Sequence, residues 1–189
     1  MQLKRIMILL NNITIIKPNR IMKEMYVYDK QRFNTGGRAL RFLWALRYSN
    51  SGILLVRSFA KIMWKYYSLM YGLEIAPVTQ IGKGLYIGHA FNITINPAAK
   101  IGDNCNIHRG VLIGQENRGK RKGTPIIGNK VWIGINVAIV GNVTIGDDVL
   151  IAPNTYVNCD VPAHSIVFGN PCIIKHRDNA TENYINRTV

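Results

Sequence analysis

The stretch Val131–Val157, VWIGINVAIVGNVTIGDDVLIAPNTYV, puts an aliphatic residue at every sixth position: Ile133, Ile139, Ile145, Ile151 and Val157. Six-residue spacing cannot mark one face of an α-helix, because about 3.6 residues per turn would spread the aliphatics around the cylinder. It suits a solenoid of short strands in which like residues stack coil upon coil and small residues turn the corners. Upstream the series passes through Ile127, breaks at an 11-residue interruption, Gln115–Pro125, and resumes as Ile95, Ile101, Ile107 and Ile113. Beyond a two-residue insertion it begins at Ile75, Ile81, Ile87 and Ile93. Glycine commonly follows the aliphatic, as at Gly82, Gly88, Gly102, Gly114, Gly128, Gly134 and Gly146. Each coil buries its side chains only against its neighbours, so stability requires several coils, and this chain supplies them.

The rest of the composition bounds the appendage. The chain has 189 residues, of which 48% are hydrophobic and 18% charged, enough for one core and a modest extension. Disorder, collagen-like chains and disulfide-rich scaffolds are excluded. The net charge of +14 is uneven: residues 1–72 hold 13 basic and 2 acidic residues, and the remainder 11 and 8. The excess thus belongs to the N-terminal third, where a membrane surface is the first anionic partner to consider. Residues 37–48 and 53–71, rich in Leu, Met and aromatics and separated by Asn50, Ser51 and Gly52, are expected to be helices. In the second, Arg57, Lys61 and Lys65 share one face. That face is either a solvated stripe opposite a packing face or the flank of a helix lying on an anionic bilayer. Its three charges argue against a membrane span. The apolar run Ile6–Leu10 lacks the features of a signal peptide, and Met22 or Met25 offer alternative starts. Cys105, Cys159 and Cys172 form neither a CxxC pair nor an even framework, which points to a reducing cytoplasm.

IGKGLY, IGHAFN, IGDNCN, the quoted stretch and the closing VPAHSIVFGNP resemble the hexapeptide-repeat acyltransferases over about residues 72–175. The resemblance implies a mainly β chain: a left-handed parallel β-helix with a short N-terminal α-helical region. It divides the chain into an N-terminal segment 1–72, a β-helix acyltransferase domain 73–175 with a protruding loop 115–125, and a tail 176–189. Within the superfamily, LEIAPVTQIGKGLYIGHAFNITINPAAKIGDNCNIHRGVLIG is similar to the serine acetyltransferase branch. Glu74, His89, Ala90 and Gly114 stand where that branch has its acid, its His-Ala pair and a hydrophobic-Gly ending, and the insertion after Ile93 matches as well.

Moving an acyl group from a thioester to a hydroxyl requires a base, and histidine suits that near neutral pH. By spacing alone His89 is a corner residue; the resemblance implies that it is the catalytic base. Glu74, usually Asp in the family, would then orient its imidazole. His108 reads as a packing or interface residue. For acetyl-CoA, the resemblance implies contacts from Gly114, Gly134, Ile135 and Ala152, with Pro153 a departure because it has no amide hydrogen. Arg118, Lys120, Arg121 and Lys122 form a basic loop that could meet the coenzyme phosphates, and Lys175 could meet the nucleotide end. No metal site is expected, since His89 and His108 have no third imidazole at suitable spacing.

Two departures bear on the acceptor. Serine acetyltransferases carry Asp before the catalytic His and an Arg-His pair before the loop Pro, whereas this chain has Gly88 and Gly123-Thr124. Losing these charges should abolish recognition of serine's ammonium and carboxylate. The expected function is therefore acetyl-CoA-dependent O-acetylation of a sugar hydroxyl in glycan, capsule or lipopolysaccharide synthesis. The alternatives are serine O-acetylation and a non-enzymatic trimeric scaffold. The resemblance implies a homotrimer, a cytoplasmic enzyme is expected with possible peripheral membrane contact through 37–71, and no nucleic-acid motif accompanies the charge.

Overall fold

A computed structural model describes residues 20–34 and 36–189; the Ile6–Leu10 run lies outside them. Among the described residues three helices precede the solenoid: α1 over 20–31, α2 (Arg38–Tyr48) and α3 (Leu54–Tyr71). Gly72 caps α3 in the left-handed region (φ 62°), a conformation open to a residue without Cβ, and turns the chain into the first coil.

The coils form a left-handed β-helix of about five turns whose strands fall into three parallel sheets. The first sheet joins β1 (Leu73–Ile75), β4 (Ile93–Ile95), β7 (Leu112–Gly114), β10 (Ala138–Val140) and β13 (Tyr156–Val157). The second joins β2 (Gln80–Ile81), β5 (Lys100–Ile101), β8 (Ile126–Ile127) and β11 (Thr144–Ile145). The third joins β3 (Tyr86–Gly88), β6 (Asn106–His108), β9 (Trp132–Ile133), β12 (Val149–Ile151) and β14 (Ser165–Phe168), and ends in an antiparallel β15 (Ile173–His176).

The register makes the six-residue series into three internal columns. Ile75, Ile95, Ile113, Ile139 and Val157 stack in the first sheet, and Ile81, Ile101, Ile127, Ile145 and Val161 along the second. Ile87, Ile107, Ile133, Ile151 and Val167 stack in the third. All fifteen are buried, so strand alternation turns the residues between them outward. The corners are tied by a side-chain ladder. Asp103 accepts from the Lys83 amide, Asn129 from that of Asp103, and Asp147 from that of Asn129.

The helices cap the first coil through a buried ion pair. Arg47 of α2 donates to both carboxylate oxygens of Asp29 in α1 (2.8 and 3.1 Å) and to the carbonyls of Ile81 and Gly82. Asp29 also accepts the Leu85 amide, and burial pushes its carboxyl up while Arg47 opposes the shift. Phe42, Leu43, Ala45 and Leu46 of α2 join the core, but on α3 only Ala60 and Tyr67 are buried. Met63, Trp64 and Tyr71 pack beside them, while Leu55, Ile62 and Leu69 stay 82%, 66% and 72% exposed, so a second apolar stripe of α3 faces solvent. The C-terminal segment folds back instead of trailing away. Asp148 accepts from the Ala180 and Thr181 amides, Arg32 donates to the Asn186 carbonyl, and Asn104 holds Val189.

Candidate active site

The corner between the third and first sheets follows β3, and there His89 takes a left-handed conformation (φ 53°) that leaves it exposed. Among the described residues its imidazole makes no hydrogen bond. Glu74 lies on β1 with Leu73 and Ile75 turned inward on either side, so its carboxylate faces out of the first sheet. It accepts a hydrogen bond from the Thr94 hydroxyl at 3.2 Å. The expected Glu74–His89 hydrogen bond is not formed among the described residues, because one residue belongs to a strand face and the other to a corner. The Asn92 amide donates to Tyr71 and β4, which follows His89, pairs with β1, so that Thr94 rather than His89 stands opposite Glu74.

Glu74 and Gly114 line one cleft of about 600 Å³ between the first sheet and α3, with Trp64, Lys65, Leu112 and Val140. Gly134 and Ala152 lie on a different edge, along the outer column that continues from Gly88 and His108. Their amides already donate to the next coil, Gly134 to Ile151 and Ala152 to Val167, and so are not free for a ligand. A Cβ at Gly134 would press on the Ala152–Pro153 backbone, which makes this a place of close coil approach. Ile135, next in the chain, has an amide with no acceptor among the described residues. Lys175 on β15 lies with its ammonium 5.8 Å from the centre of the Phe168 ring, on the same sheet.

The loop expected at 115–125 is folded onto the coils. Glu116 and Gly123 exchange backbone hydrogen bonds, and Gly119–Arg121 makes one 3₁₀ turn. Arg121 pairs with Asp160 at 3.0 Å, while Arg118 and Lys120 remain exposed beside a cleft of about 560 Å³ that also reaches Tyr156. Thr124 donates to the Ala98 carbonyl, on a different edge from Gly88.

The residue that sequence reasoning undervalued is His108. It is the register partner of Gly88, and its imidazole covers that glycine. Nδ1 stands 2.9 Å from the Ile133 carbonyl, and a carbonyl only accepts, so Nδ1 carries the hydrogen and Nε2 keeps a lone pair. Burial, together with His89, holds its pKa below the usual imidazole range. The six-residue count contained the signal, because residues 88 and 108 occupy the same place in successive coils.

The family described as bacterial transferase hexapeptide (six repeats) matches residues 124–159. Serine acetyltransferases from Helicobacter pylori and Staphylococcus xylosus are 37% and 38% identical to the chain over 99 and 107 residues. These matches cover 52% and 57% of this chain and 58% and 50% of the relatives, so the chain matches little more than half the length of those curated relatives. Among solved structures, soybean serine acetyltransferase superposes with a TM-score of 0.66 at 25% identity, over 82% of this chain and 69% of that one. The Neisseria gonorrhoeae enzyme in complex with serine gives 0.66 at 25% identity, over 86% and 71%. Repeat, register and relatives together make the chain similar to the hexapeptide-repeat transferases, and among them to serine acetyltransferases, over little more than half of its length.

Proposed function

We propose that the chain transfers an acetyl group from acetyl-CoA to a hydroxyl acceptor, with His89 as general base. The observation that carries this reading is an exposed imidazole with no competing hydrogen bond among the described residues, set one residue past Gly88 on the edge that Gly134 and Ala152 continue. The neutral imidazole takes the acceptor's hydroxyl proton as the oxygen attacks the thioester carbonyl. The tetrahedral oxyanion then collapses, the carbon–sulfur bond breaks, and the imidazolium returns its proton to the departing thiolate. The Ile135 amide is the donor suited to the oxyanion. Glu74, on β1 of the same coil, supplies negative charge that stabilises the imidazolium.

The residues expected to hold acetyl-CoA fall on two edges of the prism: Gly134, Ile135, Ala152 and Lys175 on one, Gly114 and the basic loop on another. A homotrimer, in which one copy's loop faces its neighbour's edge, would complete the site. The names of the relatives support serine as acceptor more than a sugar. A second reading, a neutral hydroxyl compound such as a sugar, is favoured by Gly88, where His108 stands in place of any side chain. No helix among the described residues is long and apolar enough to cross a membrane. The apolar stripe of α3, flanked on one side by Arg57, Lys61 and Lys65, instead fits an anionic bilayer surface.

The test is acetyl transfer by wild type and His89→Ala to free serine and to nucleotide-linked sugars, read by mass spectrometry. Acetylated product that disappears in the variant supports the reading. Failure of the wild-type chain to bind CoA would favour a trimeric scaffold without catalysis.

A further inference from the structure

We propose that the cavity on the outer face of the third sheet is the acceptor pocket and takes a neutral sugar ring, one hydroxyl of which is read by His108. The inference rests on the acetyl-transfer reading above and names its substrate class.

The cavity, about 430 Å³, lies outside β3, β6 and β9. That volume falls within the roughly 300–1,000 Å³ range of small-molecule pockets. It is closed on one side by Phe33 and Asn34, which follow α1, and on the other by Tyr184, Asn186 and Arg187 of the C-terminal segment. Half of its lining is aromatic and the rest arginine and asparagine. Phe33 and Tyr86 have ring centres 4.7 Å apart, His108 and Trp132 4.7 Å, and Trp132 and Tyr184 5.1 Å. Aromatic faces accept the C–H groups along one side of a pyranose, while amide and guanidinium groups at the rim meet hydroxyls in the ring plane.

The same walls disfavour a free amino acid. Among the described residues no carboxylate lines the cavity, so an ammonium group would enter without a counter-charge, which is costly. The buried Arg32 is already spent, donating to the Gly84 and Asn186 carbonyls and to the Asn106 side chain. His108 connects the cavity to the chemistry. Its Nε2 lies 2.7 Å from the place a Cβ of Gly88 would take, one residue before His89. The Ile133 carbonyl fixes the hydrogen on Nδ1, so Nε2 accepts a hydroxyl hydrogen bond.

The test is calorimetric titration of the full chain with methyl glucopyranoside, galactopyranoside and mannopyranoside and with free serine, alongside a separate acetyl-CoA titration. At least one pyranoside should bind saturably, with affinity falling about tenfold or more in Trp132→Ala and Tyr184→Ala, and serine should not compete. Tyr184 lies outside the coils, so its variant keeps the test decisive if Trp132→Ala fails to fold. His108→Phe, which keeps a ring but removes the acceptor nitrogen, should weaken pyranoside binding and leave acetyl-CoA affinity unchanged. The proposal is overturned if no pyranoside binds, if binding ignores all three substitutions, or if serine binds in a manner that depends on them. Failure of acetyl-CoA to bind would sink the transferase reading alone, because the pyranoside titration needs no turnover.

Discussion

Gly88 lies beneath the imidazole of His108, its register partner one coil on, so closely that a Cβ at position 88 would stand 2.7 Å from Nε2 and nearer still to Cδ2. The ring cannot yield cheaply, since Nδ1 is anchored on the Ile133 carbonyl. Gly88→Asp should therefore displace His108 and lower kcat/KM for the chain's own acceptor by about tenfold or more, the scale of one lost buried hydrogen bond plus repacking. His108→Ala in the same chain should relieve the clash, giving strongly non-additive effects in a double-mutant cycle. Additive effects would show that the two positions do not share a site.

The same imidazole gives the fold a pH dependence. Burial lowers its folded pKa beneath the ordinary value, so the unfolded chain takes up a proton first as the pH falls. The groups facing it are His89, Tyr86 and Trp132, with Tyr184 and Arg187 across the cavity. The stability contributed by neutral His108 is complete above about pH 6.5 and is lost on acidification through that value toward the folded pKa. Denaturant midpoints measured between pH 7.5 and 5 should fall for wild type and fall less for His108→Asn. Equal slopes would refute the assignment.

Why the solenoid was legible and the cavity was not follows from how each is encoded. Ile75 to Val157 meet the same neighbours in every coil, so one local rule repeated along the chain specifies all three columns. The cavity instead joins Phe33, Tyr86, Trp132 and Tyr184, which no period connects. The anchors that bring them together are long-range as well: Arg32 to Asn106 and Asn186, and Asn104 to Val189. Helix α1 went unread because its contribution is Asp29, one buried acid in a basic segment rather than an apolar stripe. The family resemblance singles out His89 and Glu74, but strand alternation, which separates a face from a corner, keeps them from hydrogen-bonding within one chain.

Asp29 and Arg47 fasten the helices to the first coil, and each also binds coil backbone, at Leu85 and at Ile81 and Gly82. Removing one partner leaves the other charged, buried and unpaired. Asp29→Ala is expected to cost about 3–5 kcal/mol in chemical denaturation. Replacing both by apolar residues, Asp29→Leu with Arg47→Met, should cost less than the single change. A loss below about 1 kcal/mol for Asp29→Ala would mean that the helices dock through Phe42 and Leu43 alone.

The loop makes a separable prediction about the donor. Arg121 is held by Asp160, whereas Arg118 and Lys120 stand exposed at the same cleft and are free to meet phosphate. Arg118→Ala with Lys120→Ala should raise KM for acetyl-CoA several-fold with kcat little changed, and the effect should shrink in high salt. An unchanged KM would leave the loop as a solvated surface.

Helix α3 presents Leu55, Phe59, Ile62, Tyr66 and Leu69 to solvent at spacings of four and three residues, a continuous stripe along one face. For the bilayer contact proposed above, the basic edge of Arg57, Lys61 and Lys65 along the same helix predicts a preference for an anionic surface over a neutral one. At about 1 kcal/mol per basic residue, three such charges favour anionic over neutral vesicles by roughly 10²-fold at physiological salt. Co-sedimentation with phosphatidylglycerol-containing vesicles should recover the protein, and pure phosphatidylcholine vesicles should not. Ile62→Glu with Leu69→Glu should abolish the recovery, while Lys61→Glu should weaken it in a salt-dependent way. If these substitutions alter the mass measured by light scattering and leave vesicle recovery unchanged, the stripe is a contact between copies of the chain and the bilayer assignment fails.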